Sequence, residues 1–243
     1  MASDGPRGWL RLLLGLAAVM GAATPLLAPR LCRARWHRVL MLIEGGLQIV
    51  CLAALAWALF VGWRSPSAVL AVSALAFGFY GLQRPPHSRL VAGMGMAAML
   101  AAALIFFPLQ AGGPDAAFYG ASRLFQGMGV GWLLGVALRA ITGERLEERD
   151  VGLALVFYTA SLLLMGIVAQ RGWGIYWSWD PLECWSLVPW LCAALVILLG
   201  SVGGRRRTTW QKAAGVLAAI VGFVVMLGAE PLLQALALAS RYF

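Results

Sequence analysis

Apolar positions in this chain neither alternate with period two nor confine themselves to one helical stripe. They run on for about 20 residues at a time and are broken by short Arg-rich or Gly/Pro-rich stretches. Runs of that length match the hydrocarbon thickness of a bilayer crossed by an α-helix. Backbone groups in lipid must be satisfied within a helix or a closed barrel, and continuous runs select the helix. Dividing the chain at its breaks predicts eight spans at about 8–28, 38–62, 66–83, 89–109, 119–141, 150–169, 182–202 and 209–238. The third is the shortest. The first, from Trp9 to about Ala28, has no clear small-x-small cleavage site and runs into further spans, so it reads as a retained helix rather than a signal peptide. The expected fold class is an all-α, polytopic integral membrane helix bundle. Residues 1–243 form a single membrane domain, without an internal repeat or a loop long enough to fold alone.

Composition strengthens this reading. The 243 residues are 61% hydrophobic and 12% charged, with a mean hydropathy of +0.81, more apolar side chain than a soluble domain of this size buries. The net charge of +9 is a matter of position. Arg30, Arg33, Arg35 and Arg38 form one group, Arg84 and Arg89 a second, Arg139, Arg145 and Arg149 a third, and Arg205, Arg206, Arg207 and Lys212 a fourth. The alternate connections carry only Arg64, none from Ala111 to Ala117, and Arg171. This asymmetry is the positive-inside pattern and argues for lipid, not nucleic acid, as the partner of the basic charge. With an even number of spans it places both termini and the connection before span seven on the outer side. Cys32, Cys51, Cys184 and Cys192 form no C-x-x-C pattern and read as small apolar side chains. Glycines within the spans, such as Gly127, Gly129, Gly131 and Gly135, predict close helix approach.

Chemistry concentrates between Trp173 and Trp190, where five of the 11 Trp residues and one Tyr stand in one connection. An interfacial aromatic belt would spread Trp and Tyr over all the helix ends. Clustering in one place suits a platform for a planar apolar ligand or a partner-docking surface. If the chain stays helical there, Trp173 and Trp177, four apart, share a face. Asp180, Pro181 and Glu183 have the spacing of an N-cap, a first-turn proline and a capping-box acid, and so predict the start of span seven.

The stretch WGIYWSWDPLECW resembles the tryptophan-rich WWD signature of the cytochrome c assembly family, whose members handle haem in cytochrome c biogenesis. It is most similar to the membrane component of the type II system, with the pattern W-G-x-Y-W-x-W-D-P-K-E-x-W. Trp173, Gly174, Tyr176, Trp177, Trp179, Asp180, Pro181, Glu183 and Trp185 match it. The similarity extends weakly over 151–243, including Trp190 and the stretch from Trp210 to Phe223. The resemblance implies a WWD segment at 173–190 that holds haem as cargo at the outer face of a membrane, as in a bacterial inner membrane. There it would present haem to the thiols of an apocytochrome c, within a haem lyase (cytochrome c synthase) system of other biogenesis membrane proteins. By that resemblance Trp173, Tyr176, Trp177, Trp179, Asp180, Glu183 and Trp185 would contact haem.

The family also carries flanking histidines as axial ligands to the iron. Counted along the pattern, they would fall near Leu198 and at Ala239 to Arg241, where this chain has none; its histidines are His37 and His87. Met128, or Gln126 beside it, is the replacement ligand that span five offers. Leu182 stands where the family has Lys, which leaves Arg171 or Arg241 to neutralise a propionate, or simply to snorkel to the interface. Two further readings remain open. One is a diverged assembly subunit that docks partner proteins through the Trp-rich segment without binding haem. The other is a transporter or proton pathway using the intramembrane carboxylates Glu44 and Glu230.

Overall fold

The computed structural model describes residues 5–27, 34–60, 63–64, 66–84, 86–106, 110–111, 116–177, 179, 181–201 and 205–240. Side chains are described for 8–24, 39–59, 68–84, 88–103, 117–172, 174–177, 179, 184–200 and 209–226. Among the described residues eight helices follow one another: α1 Gly5–Leu27, α2 Ala34–Phe60, α3 Pro66–Leu82, α4 Pro86–Phe106, α5 Ala116–Ile141, α6 Glu148–Trp173, α7 Pro181–Ser201 and α8 Arg205–Ser240. Each of the eight apolar runs is therefore a helix. Beside them stands one short antiparallel ladder, β1 Trp63–Arg64 against β2 Gln110–Ala111, with Trp63 opposite Ala111. It ties the α2–α3 connection to the α4–α5 connection.

Four helical stretches are long and apolar enough to cross a membrane: Val39–Leu59, Ala117–Ile141, Glu148–Gly172 and Thr209–Met226. Among the described residues the apolar parts of the other helices are shorter, at Gly8–Thr24, Ala68–Leu82, Ser88–Ala103 and Cys184–Gly200. The surface identifies the solvent. Trp9, Leu12, Leu16 and Val19 on α1, Leu191, Leu195 and Leu198 on α7, and Leu217, Ile220 and Val224 on α8 are all exposed. Their spacing of three and four draws an apolar stripe down the outside of each helix, the face a bundle turns to lipid.

Inside the bundle α3 is enclosed on every side: Ala68 to Gly78 are all buried. Helices α2, α4, α5 and α8 surround it, while α1 packs on α2 and α4, and α7 bridges α6 and α8. Total enclosure explains why the shortest run needs no polar face. Helix α5 is the other central element, with 67% of its span buried against 22% for α2 and 28% for α6. Small residues make this approach feasible. A Cβ added at Gly127 would stand 2.8 Å from Val72 Cγ1, and one at Gly131 2.7 Å from Ala76 Cβ, inside contact distance with α3.

Two polar contacts cross between helices within the bundle. The Ser122 hydroxyl donates to the Ser161 carbonyl at 3.0 Å. The Trp190 indole donates to Thr159 at 2.8 Å and fastens α7 to α6. Each links helices that lipid alone would not hold together.

Candidate functional site: the aromatic connection between α6 and α7

Gly174 terminates α6. Its φ of 78° is left-handed, and its N–H donates back to the Gln170 carbonyl at 3.0 Å. Glycine reaches that conformation without a Cβ penalty, which is why it ends helices. The consequence corrects one sequence expectation: Trp173 is the last residue of α6, so Trp173 and Trp177 do not share a helical face. The side chain of Trp173 lies outside the described residues, as do Asp180 and the side chain of Glu183. Helix α7 does begin at Pro181, at the position where a missing N–H costs nothing.

Between those helix ends the chain presents a different aromatic pair. Trp177 and Trp179 lie with ring centroids 6.1 Å apart at an interplanar angle of 77°, an edge-to-face contact. Trp179 holds φ at 59°, left-handed for a residue with a Cβ, which costs on the order of 1–2 kcal/mol. Its carbonyl faces the Cys184 thiol at 3.6 Å. That backbone turns the Trp179 ring outward, 72% exposed, beside Tyr176 at 65% and Trp185 at 47%. Trp177 is half-buried, and its indole N–H is buried without a hydrogen-bond partner. Arg171, exposed in the last turn of α6, places its guanidinium 4.3 Å over the Phe118 ring at the start of α5. Three exposed aromatic side chains and the half-buried Trp177 thus stand between the end of α6 and the start of α7.

Among the described residues, ligands for an iron atom are not gathered there. His37 lies in the first turn of α2 and His87 at the start of α4; both are helical rather than in loops. Those are the ends opposite the α6–α7 connection in a bundle whose helices alternate in direction. Met128 packs against the main hydrophobic core, about 18 Å along α5 from its start at a rise of 1.5 Å per residue. Gln126 accepts a hydrogen bond from Arg123 at 2.7 Å. Arg123 also donates to the Tyr119 hydroxyl at 3.0 Å, a polar contact inside α5 that charge counting by loops overlooks. Arg241 and Glu230 have no described side chains.

The far end of the bundle is built on charge. Asp150, in the first turn of α6, accepts hydrogen bonds from Arg84 at 2.5 Å, Arg139 at 2.8 Å and Tyr80 at 3.0 Å. Arg139 also pairs with Glu147 at 2.9 Å and Glu144 at 3.3 Å, and Ser88 donates to Glu144 at 2.7 Å. The Arg139 guanidinium holds the Glu147 carboxyl below its ordinary value of 4.5. Two arginines counted among the loop charges are thus committed to ion pairs that join α3, the start of α4, α5 and α6. The acidic run Glu144, Glu147, Glu148, Asp150 after Arg139 was the signal for them.

An integral membrane helix bundle with a Trp-rich connection between α6 and α7 is the class these features define. The profile described as "Cytochrome C assembly protein" matches residues 92–229, more than half of the 243-residue chain. The chain belongs to that family. The match runs from α4 into α8, a wider stretch than the last three spans. Curated relatives include "Cytochrome c biogenesis protein CcsA" of Chlorella vulgaris, 36% identical over 83 residues, 34% of this chain and 25% of the relative. The protein of the same name from Nostoc punctiforme is 34% identical over 87 residues, 36% of this chain and 23% of the relative. That of Gloeobacter violaceus is 36% identical over 94 residues, 37% and 26% respectively. The chain thus spans about a quarter of the length of the curated relatives it matches. No solved structure matches it.

Proposed function

We propose that this membrane protein of cytochrome c biogenesis receives haem as cargo on the aromatic rim between α6 and α7 and presents it to an apocytochrome c. The observation that carries the reading is the exposure of Tyr176, Trp179 and Trp185 in one connection, with Trp177 edge-on against Trp179. Aromatic rings gathered in one connection offer an apolar surface that a flat macrocycle covers well. Arg171, at the end of α6, is placed to meet a propionate carboxylate, which a guanidinium binds through two N–H groups. The residues fit the ring of haem but not its iron, since among the described residues no histidine stands at this end. Axial ligation then comes from the apocytochrome or from another biogenesis protein. Both termini and the rim lie on the outer side of the membrane in this reading, which the arginine distribution supports.

A gene deletion tests the assignment in cells. Loss of covalently haem-stained c-type cytochromes is expected, restored by the wild-type gene and not by one carrying Trp177→Ala and Trp179→Ala. Normal maturation in the deletion strain would reject it.

A second reading draws on the same missing histidines. The rim would then dock another assembly protein and never touch haem, in which case the double variant loses copurification of that partner while purified wild-type protein binds no haem.

A further inference from the structure

Arg123 stands inside the apolar span Ala117–Ile141 of α5, about 10 Å along the helix from Ala116 at a rise of 1.5 Å per residue. An arginine so near a helix end ordinarily snorkels, stretching its charge toward the headgroups. This one is held along the helix instead. Its Nε donates to the Tyr119 hydroxyl at 3.0 Å, one turn toward the start of α5, and its Nη1 donates to Gln126 Oε1 at 2.7 Å, one turn the other way. Both acceptors are neutral. Among the described residues no carboxylate pairs with Arg123, whereas Arg84 and Arg139 at the other end of the bundle meet Asp150 and Glu147. A guanidinium within an apolar span is costly without a counter-charge, and the anion that suits it is a carboxylate or phosphate taken up through two N–H groups. Nη2 bonds to none of the described residues, so N–H groups remain for one.

The aromatic connection comes down toward this arginine. Ser122, the neighbour of Arg123, donates to the Ser161 carbonyl of α6 and so fixes the level of Arg123 along that helix. After α6 ends, the chain folds back beside it: a Cβ added at Gly166 would stand 3.4 Å from the Tyr176 carbonyl oxygen. Ser161 and Gly166 are five residues apart, which leaves about 8 Å along α6 between the level of Arg123 and that of Tyr176. Polar side chains continue across the interior. Gln126, the acceptor for Arg123, stands close to the buried Tyr158 hydroxyl. Thr159, next along α6, accepts from Trp190 of α7, the helix into which the aromatic connection leads.

We infer that Arg123 receives one of the two carboxylates of the haem cargo on the inner side of the aromatic connection, with Tyr119 and Gln126 as the residues that position it. The rings of the connection would cover the apolar face of the macrocycle, while Arg123 selects for the charge on its edge. This rests on the haem reading above and adds to it a requirement for an ionised propionate.

Titration of the purified full chain in detergent with haemin, and in parallel with haemin dimethyl ester, whose carboxylates are neutral, tests it. The wild-type protein should bind haemin more tightly than the ester. Arg123→Gln should weaken haemin binding by roughly tenfold or more, the loss of a charge-assisted hydrogen bond, and leave binding of the ester unchanged. Equal losses for both ligands would make Arg123 a purely structural residue and overturn the inference, as would an unchanged affinity for haemin. So would a loss of thermal stability in Arg123→Gln that Glu230→Gln relieves, the mark of an ion pair within the bundle. Should Arg123→Gln fail to fold, Arg171→Gln decides: it should still prefer haemin to the ester, and loss of all preference would leave Arg123 no part in it. Binding of neither ligand by the wild-type protein would overturn the haem reading and this position with it, whereas haemin binding that ignores Arg123 overturns this position alone.

Discussion

The two ends of this bundle spend their polar chemistry in opposite ways. At the end where α5 meets α6, Arg84 and Arg139 pair with the buried Asp150 and the half-exposed Glu147. At the end where α6 meets α7, Tyr176, Trp179 and Trp185 turn outward, and the Trp177 indole N–H is left without a partner. An end whose charges pair across helices holds those helices in place. An end that turns its aromatic faces outward is the one we propose receives the ligand.

Substitutions should separate the two roles. Asp150→Ala strands two arginines near the core, and breaking a buried pair on one side costs about 3–5 kcal/mol; a large fall in Tm in detergent is expected. An unchanged Tm would mean that the ion cluster is not what joins these helices. Gly131→Leu should destabilise by about 1–3 kcal/mol through overpacking against α3, seen as a lower unfolding temperature at intact secondary structure. Trp190→Phe removes the bond to Thr159 and should cost about 1 kcal/mol, read in the same melts.

Trp179→Gly, by contrast, relieves a left-handed backbone. It should leave stability equal or raise it by about 1 kcal/mol while abolishing rescue of cytochrome maturation. If it destabilised the bundle as strongly as Asp150→Ala, the contrast between the two ends would fail.

The smallest expected effect is in pH. Glu147 has a folded pKa below its ordinary 4.5, so the unfolded chain binds its proton first as pH falls. Its contribution is present above about 4.5 and fades as pH drops through the lower folded value. Because Glu147 is half exposed, the effect is modest. Melts between pH 7 and pH 3 should show a slightly steeper loss in the wild-type protein than in Glu147→Gln.

All eight helices were legible in the sequence because lipid rewards uninterrupted apolar runs, and even the short third run became the enclosed α3. The helix start at Pro181 was legible too, since proline's missing N–H has one favourable place in a helix. The geometry of the aromatic residues was not. Spacing alone joined Trp173 to Trp177, whereas Gly174 ends the helix between them and pairs Trp177 with Trp179 instead. The ion cluster was hidden for a related reason: arginines near helix ends look alike until the fold shows which ones meet Asp150. Arg123, a single cation in the middle of an apolar run, gave no pattern to read.

Haem binding by the purified chain tests the central claim most directly. On titration with haemin in detergent, the wild-type protein should give a saturable, shifted Soret band. The Trp177→Ala, Trp179→Ala double variant should lose the band and keep its unfolding temperature. A band that persists in the double variant, or none in the wild-type protein, would contradict the assignment of the aromatic rim as the haem-receiving surface.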